Sequence, residues 1–251
     1  MKAVIKKTLS SLGYEIKKKN FHDMFAIRHK FDEALYHLRE TGFYPNLIVD
    51  VGAADGTPPL QNAFSQANFF WIEPLQEFEP ALKKLQNQFH GDYVIAGVGK
   101  EEGNFILNVH EDLHGSTMFN ETGGEQFDGK QRHVPVLTLN KLGHINNWQQ
   151  FNKILLKVDV QGFELEVLKG ADGILPNVDV IILEVSLFKF LKNAPDFHEV
   201  VDYMKTIGYV VYDIIGGINR PLDFSLGQVD LVFVKENGFL RQSHDWINPQ
   251  S

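Results

Sequence analysis

Seven short apolar runs, separated by amphipathic segments, leave this chain few ways to fold. They are LIVDV (47–51), FFWI (69–72), YVIAGV (93–98), ILLKVDV (154–160), VDVIILEVSL (178–187), YVVYDII (209–215) and VDLVFV (229–234). Their continuous rather than alternating apolar character predicts strands covered on both faces. Segments between them, such as EFEPALKKLQNQF and DFHEVVDYMKTIG, carry apolar residues at helical spacing. Strands alternating with helices predict an α/β, Rossmann-like, doubly wound sheet. With 251 residues and no repeat or low-complexity linker, the chain reads as one such domain over 45–251, preceded by a basic, helical extension over 1–44. Within that extension, residues 21–40 (FHDMFAIRHKFDEALYHLRE) have helical spacing.

The rhythm breaks between residues 99 and 150. There GNFILNVHEDLHGSTMFNETGGEQFDGKQRHVPVLTL places two strand-like runs around a Gly-rich polar stretch. This predicts a β-hairpin or flap beside the sheet, in a position where long polar loops carry function.

Composition removes several chemistries. The chain has no cysteine, which excludes disulfides, thiolate nucleophiles and Cys-based metal sites. A net charge of −8 disfavours general nucleic-acid binding. Residues 1–20 run against that balance, with six lysines opposing Glu15 for a local +5. Ile5, Leu9, Leu12 and Ile16 share one helical face there, so the segment either docks on its own domain or rests peripherally on an anionic membrane. No apolar run reaches signal-peptide or transmembrane length, so a cytoplasmic protein is expected.

The turn VDVGAADGTPPL follows the first strand. Gly52 and Gly56 permit close approach of a ligand, and Thr57 with Pro58 opens a helix. A dinucleotide fingerprint would need glycine at the positions of Ala54 and Thr57. The spacing acid-x-G-x-x-x-G is met instead by Asp50, Gly52 and Gly56, with Asp55 inside the turn. A carboxylate at this strand end suits an ammonium-bearing tail and would repel a pyrophosphate. Glu73 ends the second strand in FFWIEP, where an acid can accept hydrogen bonds from both ribose hydroxyls. Together the two acids favour an adenosyl cofactor with a cationic amino-acid tail over NAD.

In LLKVDVQGFELEVLKGA, Asp159 ends a strand and Gln161-Gly162 turn into a helix, so Asp159 and Gln161 face the crevice beyond the strand ends. Glu164 and Glu166 fall in that helix as solvated or capping residues. Glu184, inside IILEVSL, is a carboxylate in an apolar strand and needs a partner, such as Lys157, or a function. The segment HEDLH (110–114) matches the H-E-x-x-H metalloprotease pattern, which requires both histidines on one helical face. It follows a strand-like run and meets Gly115 at once, so no helix and no metal are expected. His110, His114 and Ser116 read instead as parts of a flap over an acceptor.

IVDVGAADGT, FWIEP, HGSTM, VPVLTLN, LLKVDVQGFELEVLKGA, IILEVSL, GYVVYDI and VDLVFV occur in the order and spacing of the FkbM-family methyltransferases, which the chain resembles over roughly 45–235. The resemblance implies a class I fold: a seven-stranded, mostly parallel sheet whose last strand, here VDLVFV, is antiparallel. It implies S-adenosyl-L-methionine as cofactor and O-methylation of a hydroxyl on a sugar, glycan or natural-product acceptor. By that likeness Asp50, Gly52, Ala53 and Gly56 line the methionine end, Glu73 meets the ribose, and Val98 and Gly99 lie near the adenine. The family commonly has an acid where Asn140 stands here. Methyl transfer needs in-line alignment, exclusion of water and a base for the acceptor proton. Position favours Asp159 as that base, followed by His114 and Glu184. A cofactor-binding pseudo-enzyme serving a biosynthetic complex and an NAD-dependent oxidoreductase are the competing readings.

Overall fold

The computed structural model describes residues 28–247, so the amphipathic face expected in residues 1–20 lies outside the described residues. Five parallel-paired strands form the first part of the main sheet: β1 (Leu47–Val51), β2 (Asn68–Glu73), β3 (Gly91–Ile95), β7 (Ile154–Val158) and β8 (Val178–Ser186). The last two strands, β9 (Tyr209–Asn219) and β10 (Leu226–Lys235), complete the order β3-β2-β1-β7-β8-β10-β9. β10 is antiparallel to both its neighbours and lies between β8 and β9. The expected fold class is therefore observed.

Every residue of β1 and β7 is buried, because helices cover both faces. On one face Val49, Leu156, Ile181 and Phe233 pack against α5 (Glu164–Lys169), α6 (Phe197–Thr206) and α4 (Leu139–Ile145). On the other, the adjacent residues Ile48, Leu155, Val180 and Val232 pack against α1 (Phe31–Glu40), α2 (Pro58–Ala63) and α3 (Glu79–Gln88). The period-2 pleat of each strand sends neighbours to opposite faces, so a continuous apolar run feeds two cores. Ala34, Leu35 and Leu38 of α1 are buried in the second core, so residues 31–40 are built into the domain rather than appended to it.

Two expectations are corrected. YVIAGV is not one strand: β3 ends at Ile95, Ala96 N donates to Glu73 O at 3.0 Å, and the chain leaves the sheet. Gly97–Val98 (β4) then pairs with Val136–Leu137 in a second sheet of order β4-β6-β5. The expected hairpin is β5 (Gly103–Val109) and β6 (Lys130–Leu137), but it does not extend to residue 150. Leu139, Leu142 and Trp148 beyond it are buried in the core, which makes 139–150 part of the domain body.

Candidate active site

A crevice of about 410 Å³ opens at the carboxyl ends of β1, β2, β7 and β8, beside the start of β10, where the β5–β6 hairpin folds over. Its floor is made by the turns after β1 and β7, which lie in van der Waals contact. Gly52 takes φ +73°, and a Cβ there would fall 1.8 Å from the Asp159 carbonyl oxygen, so only glycine lets the two turns meet. Asp159 N donates to Val51 O at 3.0 Å, closing the same junction. The chain rises through Ala54, at φ +46°, into Gly56, where a Cβ would lie 2.5 Å from Leu85 Cδ1. Gly52, Ala53, Asp55 and Gly56 all line the crevice.

Glu73, at the tip of β2, is buried and lines the same wall. Its Oε2 accepts from Ala54 N and its Oε1 from Leu75 N, both at 2.9 Å. Burial pushes its carboxyl up to about 7, against the opposing pull of those two donors. It thus ties the β1 turn to the β2 tip while keeping lone pairs toward the crevice.

Asp50 is placed differently from the expectation. Its side chain is fully buried behind the crevice wall, neither carboxylate oxygen has a hydrogen bond, and the Lys157 ammonium lies 3.5 Å from Oδ1. The cation in front of Asp50 is therefore Lys157. Burial raises the Asp50 pKa and Lys157 opposes the rise. For Lys157, burial pulls downward, but Asp159 and Asp50 outweigh it and the net shift is upward. Lys157 Nζ also lies 3.3 Å from Asp159 Oδ2, so one lysine serves two carboxylates.

A chain of side-chain hydrogen bonds leads from there toward β10. Gln161, at φ +50° in the turn after β7, donates to Asp159 Oδ1 at 3.2 Å and to Glu184 Oε2 at 2.9 Å. Gln228 Nε2 donates to the same Glu184 oxygen at 2.9 Å. Glu184 is thus held by two amides, and Lys157 is not its direct partner. Burial, then the charges of Asp159, Glu164 and Asp230, push its carboxyl up to about 8. Asp230, directly across from Glu184 in the β8–β10 register, is pushed up to about 6 by burial and Asp159. The helical Glu164 is a cap: its buried Oε1 accepts from Val160 N and Gly162 N, both at 3.1 Å. Glu166 is paired with Lys169 at the surface.

The hairpin tip supplies the roof. HEDLH is a turn, with Leu113 at φ +64°, so His110 and His114 do not share a helical face. His114 lines the crevice edge-on to Phe78, with ring centroids 5.1 Å apart. Ser116 also lines it, and its hydroxyl donates to Leu113 O at 2.7 Å. His110 lies outside the lining, with its Nε2 buried and unpartnered among the described residues. Val98 lines an apolar end with Leu107 and Met118, whereas Gly99 sits behind it against Phe163 and Val136.

Sequence reasoning missed four residues of the site. Asp230 is an acid inside the apolar run VDLVFV, the same signal that marked Glu184. Lys157 reads in the sequence only as a partner for Glu184. Thr117, in HGSTM, is buried and donates to Gln161 O at 2.7 Å, pinning the roof to the floor. Phe31, at the start of α1, forms part of the mouth.

The family model described as the methyltransferase FkbM domain matches residues 50–211. A search of curated proteins finds no match. Among solved structures, the chain is similar to the magnesium protoporphyrin IX methyltransferase of Synechocystis PCC 6803 with bound S-adenosylmethionine. That likeness has 13% identity and a TM-score of 0.46 over 93% of this chain and 96% of the other. It is also similar to an S-adenosylmethionine-dependent methyltransferase of Clostridium acetobutylicum, at 10% identity and a TM-score of 0.47 over 86% and 95% of the two chains. A third is the 1,6-didemethyltoxoflavin-N1-methyltransferase of Burkholderia thailandensis, at 11% identity and a TM-score of 0.43 over 81% and 76%. With the family model spanning the crevice from Asp50 through β7 and β8 into β9, the chain belongs to the FkbM family of S-adenosyl-L-methionine-dependent methyltransferases.

Proposed function

We propose that the protein methylates a hydroxyl of a glycan, sugar-containing or related small-molecule acceptor, with Glu184 as the base. The observation that carries this reading is the Gln161–Glu184–Gln228 arrangement beside the glycine turn. The crevice volume falls within the usual range for cofactor sites, roughly 300–1,000 Å³. Its donor set also fits the cofactor: Glu73 for ribose hydroxyls, the Val98–Leu107–Met118 end for adenine, and the Gly52–Gly56 turn with Asp159 for the amino-acid tail. When bound, S-adenosyl-L-methionine supplies an activated methyl on a sulfonium.

The remaining chemistry falls to the chain. Both amides fall on Glu184 Oε2, which leaves Oε1 as the oxygen open to an acceptor. Glu184 would take the acceptor's hydroxyl proton as the methyl group passes from the sulfonium to the acceptor oxygen, the S–CH3 bond breaking to leave a neutral thioether. A carboxyl pushed up to about 8 is matched to that transfer near neutral pH. Asp159, with one oxygen on Lys157 and the other on Gln161, acts as a fixed negative charge beside the cationic tail. The Thr117–Gln161 bond keeps the roof over the reacting atoms, where exclusion of water strengthens each electrostatic contact.

Titrations with S-adenosylhomocysteine and with NAD test the cofactor assignment. The first should bind; micromolar binding of NAD alone would overturn it. A second reading, N-methylation of an amine, is favoured by the concentration of Asp159, Glu184 and Asp230 around one lysine. Matched alcohol and amine acceptors, compared for methyl incorporation, separate the two. Residues 1–20 remain a proposed peripheral membrane contact, to be tested by liposome association before and after their deletion. No helix among the described residues is long and apolar enough to cross a membrane.

A further inference from the structure

A second cavity, of about 570 Å³, lies beyond the carboxyl end of β8. Three segments enclose it: the hairpin tip at Thr122, the loop after β8 at Phe188–Phe190, and the β9–β10 turn at Ile218–Leu222. The segments are tied together: Thr122 N donates to Phe190 O at 2.8 Å, and Leu187 N donates to Gly227 O at 2.8 Å.

The register of β8 and β10 joins this cavity to the crevice. Glu184 faces Asp230, and two residues along each strand Ser186 faces Gln228. Residues two apart on a strand share a face and lie about 6.6 Å apart. Glu184 and Asp230 line the crevice, whereas Gln228 lines the second cavity. Gln228 nevertheless reaches back to Glu184 Oε2 at 2.9 Å. The two spaces therefore meet across one glutamine side chain, beside the proposed base.

The lining indicates what the cavity takes. Ile218 and Leu222 are 61% and 82% exposed, and Phe188 offers a partly exposed ring. Both cations at the rim are already neutralised. Lys189 lies 2.6 Å from Glu199 and 3.8 Å from Asp196. Arg220 pairs with Asp223 and stacks over Phe188, 3.7 Å from the ring centroid. An anion therefore finds both cations already paired, while an apolar body finds Ile218 and Leu222 open to water and the part of the Phe188 ring that Arg220 leaves uncovered.

We propose that this second cavity is the acceptor subsite and that it holds an apolar portion of the acceptor, adjoining the hydroxyl presented to Glu184. The acceptor is then amphipathic: a hydroxyl-bearing head at Gln228 and an aliphatic or carbocyclic body against the β9–β10 turn. This rests on the methyltransferase reading of the crevice, which supplies Glu184 as the neighbouring reactive centre.

The test uses the full chain with two probes, methyl β-D-glucopyranoside and n-octyl β-D-glucopyranoside kept below its micelle concentration. Each is titrated calorimetrically with and without S-adenosylhomocysteine. Two buried methylenes are worth about tenfold in affinity, so the octyl glycoside should bind at least about tenfold tighter than the methyl glycoside. Ile218→Asp and Leu222→Asp, both at exposed positions, should abolish that advantage while melting temperature and homocysteine-analogue affinity hold. Equal affinities of the two glycosides would overturn the subsite, as would an octyl advantage that survives both substitutions. Failure of S-adenosylhomocysteine to bind the unaltered chain would instead overturn the cofactor reading, with the glycoside comparison still judging the subsite.

Discussion

Replacing Glu164 tests whether one buried carboxyl holds the turn that carries Asp159 and Gln161. Its Oε1 accepts from Val160 N and Gly162 N at 3.1 Å each. Glu164→Ala leaves both partly buried amides without that partner, at about 1–3 kcal/mol apiece, or roughly 2–6 kcal/mol together. For a chain of this size each kcal/mol lowers Tm by about 2–4 °C. Glu164→Gln keeps the acceptor oxygen and removes the charge, so it separates the cap from the titration. Burial raises this carboxyl from 4.5 to about 7. A raised carboxyl stabilises the fold fully below its unfolded value and loses that stabilisation as pH rises through about 7. Over this span the loss is roughly 3 kcal/mol, at about 1.4 kcal/mol per pH unit. Thermal melts of the three proteins at pH 5 and pH 8 read both effects. The Ala variant should melt well below the unaltered chain at pH 5, and the gap should narrow toward pH 8, where the unaltered chain must ionise Glu164. The Gln variant should gain on the unaltered chain between pH 5 and pH 8. An unchanged Ala melting temperature at pH 5, or parallel pH dependence in the Gln variant, would refute the reasoning.

Further expectations follow from the same network. Asp159→Asn removes a charge that raises the Glu184 carboxyl, so the acid limb of the kcat/KM–pH profile should move to lower pH; an unmoved limb would exclude Glu184 as the base. Lys157→Met leaves Asp50 buried without its cation and should cost about 3–5 kcal/mol in urea unfolding. Adding Asp50→Asn should recover part of that loss, and simple additivity would argue against the pairing. Gly52→Ala forces a Cβ toward the Asp159 carbonyl at φ +73°. Backbone strain alone should then cost about 1–3 kcal/mol, together with weaker binding of S-adenosylhomocysteine. Thr117→Val removes the hydroxyl that holds Gln161 O, and limited proteolysis should then cut the 110–129 loop faster than in the unaltered chain.

The sheet was legible because two covered faces demand runs of apolar residues, and LIVDV and ILLKV supply them, broken only by Asp50 and Lys157, which pair with each other. Glu73, Asp159, Gln161 and Glu184 were legible for the opposite reason, as polar residues where those runs stop or are broken. Asp50 shows what a strand position leaves undecided. The same acid can face a ligand or a lysine, and only the register placing Lys157 beside it chooses. The break between β3 and β4 was hidden because YVIAGV reads as one apolar run, although Ala96-Gly97, poor strand formers, mark the place where it bends away. It depends on the Ala96–Glu73 backbone bond and on the room left for Met118 beside Gly97. Thr117 was hidden because its partner, the Gln161 carbonyl, comes from a distant turn.

The position of β10 has a consequence during synthesis. β1, β2 and β3 pair in parallel with helices between them and are made early, so the glycine turn and Glu73 assemble from local βα units. β8 is flanked by β7 on one side only until the chain has passed through α6 and β9 and returned to slot β10 alongside it. Throughout that interval β8 is an unprotected edge, rich in Ile and Val, of the kind that recruits other chains. The strand that brings Asp230 and Gln228 to the acceptor side is therefore also the one that seals the sheet against aggregation. Variation in the β9–β10 turn can alter which acceptor is taken, whereas variation in β10 itself is limited by the need to close that edge.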